Sequence, residues 1–212
     1  MKNAYFKLAV PLLISIALAA CAKSPEPNSA NKSNEPKSAE QIWRSSMKAK
    51  NHVGLDRITQ TELQKACSNN SDIVANEAQR AVLQQQAMNS VAFPADGNYL
   101  GDWQRGEAIA GDGKGLQWND NPNEPNGGNC YACHELSPKE VAYGTIGPSL
   151  KNYGMRGQSE AMLQYTWAKI WNPNAYTLCS HMPRFGDAGI LTEQQLKDVM
   201  AYLLDPASPV NK

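Results

Sequence analysis

Cys130-Tyr131-Ala132-Cys133-His134 is the stretch whose reading decides the fold. Two cysteines separated by two residues, with histidine directly after the second, form the attachment spacing of a c-type haem. The two thiols add to the two vinyl groups of the porphyrin, and the adjacent imidazole reaches the iron as proximal ligand. A zinc ribbon would want a second cysteine pair or more histidines nearby. A redox dithiol would want a βαβ pattern around it. The flanking sequence offers neither. The motif therefore predicts one covalently bound haem c on Cys130 and Cys133, with His134 on the metal.

Working outward, the elements expected around this motif are helices. Asp102 is placed to cap a short helix through Ala110, with Trp103, Gly106 and Ala110 on one face. Gly111 to Asn129 is rich in Gly, Pro, Asn and Asp, with Leu116 and Trp118 as its large apolar residues. A loop of that length is usually functional, and it runs straight into Cys130. After the motif, Ile146-Gly147-Pro148-Ser149-Leu150 offers a turn whose proline carbonyl can accept the proton of the second His134 ring nitrogen. Leu163, Trp167, Ile170 and Trp171 follow helical spacing after Ser159, and Asn172-Pro173 stops that helix. Thr192 and Gln195 form a capping box for a last helix with Leu196, Val199, Met200 and Leu203 as its apolar stripe. Upstream, Thr59-x-x-Glu62 reads as another capping box, and Asp72 as the cap of a helix carrying Val74, Ala78, Ala81 and Val82. Strand-like alternation is scarce. The expected architecture is all-α: a class I cytochrome c-like haem domain at 98–212 behind an N-terminal helical extension at 41–97.

The chain has 212 residues, with 20 Lys and Arg against 20 Asp and Glu. Balanced charge without a basic run argues against nucleic acid. Lys2 and Lys7 followed by the apolar run Ala9 to Ala20, broken by Ser15, read as a signal peptide at 1–20, too short to span a bilayer. The run ends Leu18-Ala19-Ala20-Cys21, the pattern of a bacterial lipobox. Cys21 is then the lipidated first residue of the mature chain, and acyl chains supply the membrane anchor. The alternative is ordinary cleavage with Cys21 incidental. Residues 21–40 carry Pro25, Pro27 and Pro36 among polar residues and read as a tether whose ends lie on the order of 25 Å apart. The expected location is the periplasm, on a lipid anchor.

Two of the five cysteines are left over, Cys67 and Cys179. In an oxidising compartment they are expected to pair as a disulfide, the alternative being two free thiols. It would close a long loop, worth up to about 4–5 kcal/mol by chain entropy.

The iron also needs a sixth ligand or an open position. Met47, Met88, Met155, Met162, Met182 and Met200, with His52 and His181, are the candidates. Met162 and Met200 fall within helices and read as core. Met182 lies in the non-periodic loop Cys179-Ser180-His181-Met182-Pro183-Arg184-Phe185-Gly186, and it is the expected ligand, with His181 and Met155 as alternatives. A thioether favours ferrous iron and raises the potential, and six-coordinate iron implies outer-sphere electron transfer. Arg184 has three readings open: a haem propionate, a protein partner or a solvated charge. No catalytic side chains of the chain's own are expected.

Gly-Asn-Cys-Tyr-Ala-Cys-His at 128–134, Thr-Ile-Gly-Pro-Ser-Leu at 145–150, Met-Pro-Arg-Phe-Gly at 182–186 and the tail Leu191 to Pro206 together resemble the SoxX family of monohaem cytochrome subunits. The likeness extends upstream through Gly97-Asn98-Tyr99-Leu100-Gly101-Asp102-Trp103. It implies an electron-relay subunit of SoxAX, an L-cysteine S-thiosulfotransferase that joins thiosulfate oxidatively to a carrier cysteine on SoxYZ. It also implies a SoxA-type dihaem or monohaem partner, which holds the catalytic haem, and a small cytochrome c as electron acceptor. His134 and Met182 take the family's axial positions, and Cys130 and Cys133 its thioether positions. The lipobox departs from the soluble subunit expected of that family. A stand-alone, membrane-tethered monohaem shuttle is the second reading.

Overall fold

The computed structural model describes residues 37–69 and 76–212. The expected signal peptide, Cys21, the tether up to residue 36 and the Asp72 cap lie outside the described residues. The chain divides between Ile42 and Trp43. In the first part Ser38 starts helix α1 (Ala39–Ser46), with the Ser38 hydroxyl accepting from the Gln41 N–H and the Gln41 side chain accepting from the Ser38 N–H. Residues from Trp43 onward form one unit.

Within that unit, α2 (Glu62–Ser68) and α3 (Glu77–Asn89) precede the haem motif, as does α4 (Trp103–Gly111). Helices α5 (Glu160–Trp171) and α6 (Glu193–Leu204) follow it. Single 3-10 turns fill several connections. Among the described residues the only β feature is an isolated bridge between Lys50 and Val53. The all-α architecture is as expected.

The helix starts follow capping chemistry, with one correction to the sequence reading. Asp102, Ser159 and Thr192 cap α4, α5 and α6 as expected, and Thr192 with Gln195 makes the full capping box. At α2 the box is Thr61 with Gln64, two residues beyond the expected Thr59 and Glu62. A 3-10 turn over Leu55–Ile58 ends at Thr59 and spends the Thr59 N–H on the Asp56 carbonyl. The cap of α3 is Asn76, whose side chain accepts from the Gln79 N–H.

The core forms where α6 is sheathed by the rest. Leu136, Trp167, Leu196, Met200, Tyr202, Leu204 and Val210 are nearly or fully inaccessible. The expected stripe of α6 is buried, but so are Lys197, Asp198, Ala201, Tyr202 and Leu204, so the helix is enclosed all round rather than on one face. Its two charges survive burial because each is paired. Lys197 Nζ lies 2.9 Å from Glu193 and 3.2 Å from Asp96. Asp198 accepts from Arg105 Nε at 2.8 Å and Nη2 at 2.9 Å, from the Asp102 N–H and from Gln194. Burial alone would raise the Asp198 pKa, but the Arg105 bonds and the other donors outweigh it and hold the carboxyl below its ordinary range.

The tightest packing is α4 on α6. A Cβ on Gly106 would stand 2.1 Å from the Asp198 carbonyl oxygen and 2.8 Å from Tyr202 Cβ. Only a residue without a side chain permits that approach. This crossing of the helix before the haem motif with the last helix frames the haem segment.

Candidate functional site

Residues 127–134 are laid down by backbone bonds to α4 and its following turn. Gly128 N–H donates to Ile109 and Asn129 N–H to Asp112, both at 2.8 Å. Asn129 then takes a left-handed conformation, φ 46°, which asparagine tolerates better than most residues. A 3-10 turn, Cys130–Ala132, follows, and the His134 N–H closes onto the Cys130 carbonyl at 3.0 Å. One short turn thereby gathers two thiols and an imidazole.

Cys130 and Cys133 are unbridged and half-buried. Burial, the larger cause, and the neighbouring Cys133 push the Cys130 thiol up to about 12, so it is held as a neutral thiol. Tyr131 packs inward, its hydroxyl 2.7 Å from that of Tyr202 and accepting from the Ser137 N–H at 3.3 Å. Burial pushes the Tyr202 phenol well above its ordinary value.

The segment Ile146 to Leu150 runs back along the motif. Gly147 N–H donates to Cys133 and Leu150 N–H to Glu135, each at 2.8 Å. His134 Nδ1 donates to the Pro148 carbonyl at 2.7 Å, the bond expected from the Gly-Pro turn. It fixes the tautomer and leaves Nε2 free to bind a metal. Gly147 is part of the same device: a Cβ there would stand 2.2 Å from Cε1 of the ring. The sequence reading named the proline carbonyl and missed the glycine.

Met182 is half-buried and packs against the same hydrophobic core as Cys130, Tyr131, Leu150 and Leu163. Its loop is fastened on both sides. Upstream, Cys179 is bridged to Cys67 of α2. Downstream, the Phe185 and Gly186 N–H groups donate to Ile170 and Trp171 at the end of α5. Arg184 pairs with Asp187 in its own loop, a partner the sequence reading did not consider. The alternatives for the sixth ligand are placed differently. Met155 is 85% exposed in a 3-10 turn, and His181 points outward as an exposed residue. A cleft of about 950 Å³ separates α2 and α3 from the ligand loop, with both bridge cysteines, His181 and Met182 in its wall.

The Gly-rich loop is held by the extension. Asn51 Nδ2 donates to the Trp118 carbonyl at 2.7 Å, Arg57 donates to the Leu116 carbonyl, and Lys50 Nζ sits 3.1 Å from the Trp118 ring centroid. None of these partners was foreseen; their pairing spans too many residues to leave a local pattern.

The donor set suits haem c: two unbridged thiols at the attachment spacing and an imidazole oriented through its far nitrogen, with a thioether on the same core. Residues 104–205 match the cytochrome c family. An uncharacterised lipoprotein of Aquifex aeolicus (strain VF5) is 40% identical over 156 residues, which cover 72% of this chain and 73% of the relative. The chain belongs to the c-type cytochromes. Membership brings a covalently bound haem c and electron transfer as the chemistry it supplies. What the cytochrome itself contributes is attachment, ring orientation and the apolar core on which these residues pack. Among its described residues no helix is long and apolar enough to cross a membrane.

Proposed function

We propose that this cytochrome is the electron-relay subunit of a SoxAX-type L-cysteine S-thiosulfotransferase. Conjugating thiosulfate to a carrier cysteine releases two electrons, and the chemistry belongs to the SoxA-type partner. This chain receives those electrons and hands them to a small cytochrome c. Cys130 and Cys133 would carry the thioether links, and His134 Nε2 and the Met182 thioether would hold the iron. The observation that carries the reading is Met182 held in the Met-Pro-Arg-Phe-Gly loop, between the Cys179 bridge and the Phe185 anchor. A fastened sixth ligand suits outer-sphere transfer and leaves no position for substrate.

Anchoring through lipidated Cys21 is part of the proposal, with 1–20 removed, 21–40 as tether, 41–97 as extension and 98–212 as haem domain. The lipoprotein name of the Aquifex relative supports the anchor. The test is purification from membranes by gentle detergent release, with covalent haem staining. A second haem-bearing subunit in fixed ratio, and haem reduction dependent on thiosulfate and the SoxYZ carrier, are expected. A lone monohaem band at low salt would overturn the heteromeric reading in favour of a tethered shuttle.

A further inference from the structure

The Cys67–Cys179 bridge occupies an unusual position for a purely structural crosslink. It joins α2, a helix that buries none of its residues, to the loop three residues ahead of Met182. Other contacts on that side of the ligand are local. Ser180 N–H donates to Thr177 at 2.9 Å, and Met182 N–H to the Ser180 hydroxyl at 3.2 Å. The described hydrogen bonds of residues 179–183 thus stay local, with the Leu178 carbonyl accepting from Asn174 just upstream and Met182 packed on the core, and the bridge is the covalent tie between this stretch and another helix. It also lines the open cleft, where Cys179 is exposed and Cys67 half-buried.

We propose that this bridge is a thiol-responsive latch on the axial ligand, and that the cleft admits low-molecular-weight thiols to it. The inference rests on Met182 as sixth ligand. A thiolate attacks the Cys179 sulfur; the bond to Cys67 breaks and its electron pair leaves on the Cys67 sulfur. A second thiol attacks the mixed disulfide, releasing Cys179 and a small-molecule disulfide. Two thiols are oxidised by two electrons, the bridge is reduced by two, and their two protons end on Cys67 and Cys179. With the bridge open, the stretch between the Asn174–Leu178 bond and the Phe185 anchor keeps local hydrogen bonds and no covalent tie, and the thioether gains the freedom to leave the metal. Such a latch would switch off high-potential electron transfer when reduced thiols accumulate.

The test uses the full-length holoprotein and reduced glutathione. After incubation, thiols are blocked with N-ethylmaleimide, the iron is reoxidised with ferricyanide, and mass and absorption spectrum are recorded. A sample without glutathione shows whether the ferric thioether-to-iron band is present at all; its absence would refute Met182 ligation, and the latch with it. Where the band is present, addition of two maleimides together with loss of the band supports the latch. An unblocked aliquot should regain the band on reoxidation with oxidised glutathione. Two maleimides with the band intact would overturn the latch while leaving the ligand reading standing, and so would a bridge that millimolar glutathione never opens. Cys67→Ser with Cys179→Ser should reproduce the reduced spectrum without thiol. If that variant fails to fold, the glutathione titration decides alone.

Discussion

His134 and Pro148 are joined by a hydrogen bond of 2.7 Å from the imidazole Nδ1 to the proline carbonyl. Proline suits this position because its ring holds φ fixed and so stiffens the turn that presents the carbonyl. The bond therefore sets the ring plane before any metal arrives, and it raises the donor strength of Nε2.

The Gly147→Ala change tests how closely that turn must approach the ring. The added methyl would stand 2.2 Å from Cε1. The turn must retreat or the imidazole must rotate, and either breaks the Pro148 bond. The expected result is a several-fold lower yield of haem-stained protein, with a raised midpoint potential in the fraction that matures, because the imidazole becomes a weaker donor. Wild-type yield and potential would show that the approach is unimportant.

Gly106→Ala tests the α4–α6 crossing. Its methyl meets backbone at 2.1 Å, which cannot swing aside as a flexible side chain could. Overpacking of this kind costs about 1–3 kcal/mol, and the upper end is expected. Denaturant unfolding followed by circular dichroism measures it, with haem loading checked separately.

Arg105 and Asp198 predict acid sensitivity. Asp198 is 3% exposed and Arg105 60%. The folded carboxyl titrates below its ordinary value, so its contribution is complete above about pH 4, the unfolded value. It is lost as pH falls through the lower folded value. Arg105→Gln should destabilise the fold at neutral pH, less than for a fully buried pair because Arg105 is largely solvated and the Asp102 N–H and Gln194 remain as donors. The gap between variant and wild type should narrow below pH 4. A gap that stays constant with pH would show that Arg105 acts through packing alone.

The paired phenols of Tyr131 and Tyr202 give an ordering. Tyr202→Phe removes one buried hydroxyl and leaves the Tyr131 oxygen still accepting from Ser137. About 1 kcal/mol is expected. Tyr131→Phe strands both the Tyr202 hydroxyl and the Ser137 N–H, and should cost about 1 kcal/mol more. Thermal melts of the two variants in the haem-loaded form compare them directly.

What was readable beforehand was mostly local. The attachment motif, the Asp102, Ser159 and Thr192 caps and the Gly-Pro turn each lie within a few residues, so their chemistry is visible as spacing. The misplaced box at Thr59 shows the limit of such patterns. Two overlapping Thr-x-x-Glu/Gln registers compete, and the choice falls to the 3-10 turn over Leu55–Ile58 that consumes the Thr59 N–H. The Arg105–Asp198 pair joins residues 93 apart. Charges on a helix that looks amphipathic read as solvent-facing, and nothing near Asp198 reveals that its partner comes from another helix. The same holds for Lys50 and Asn51 on Trp118.

The α4–α6 crossing bears on the order of events as the chain is made. Its two halves, Trp103–Gly111 and Glu193–Leu204, stand on either side of Cys130 to His134. A chain emerging N-terminus first presents the attachment cysteines well before α6 exists to close over α4. Closing so distant a contact is also a slow step. The thiols therefore have an interval of accessibility built into the topology, after which the last helix seals the frame around them.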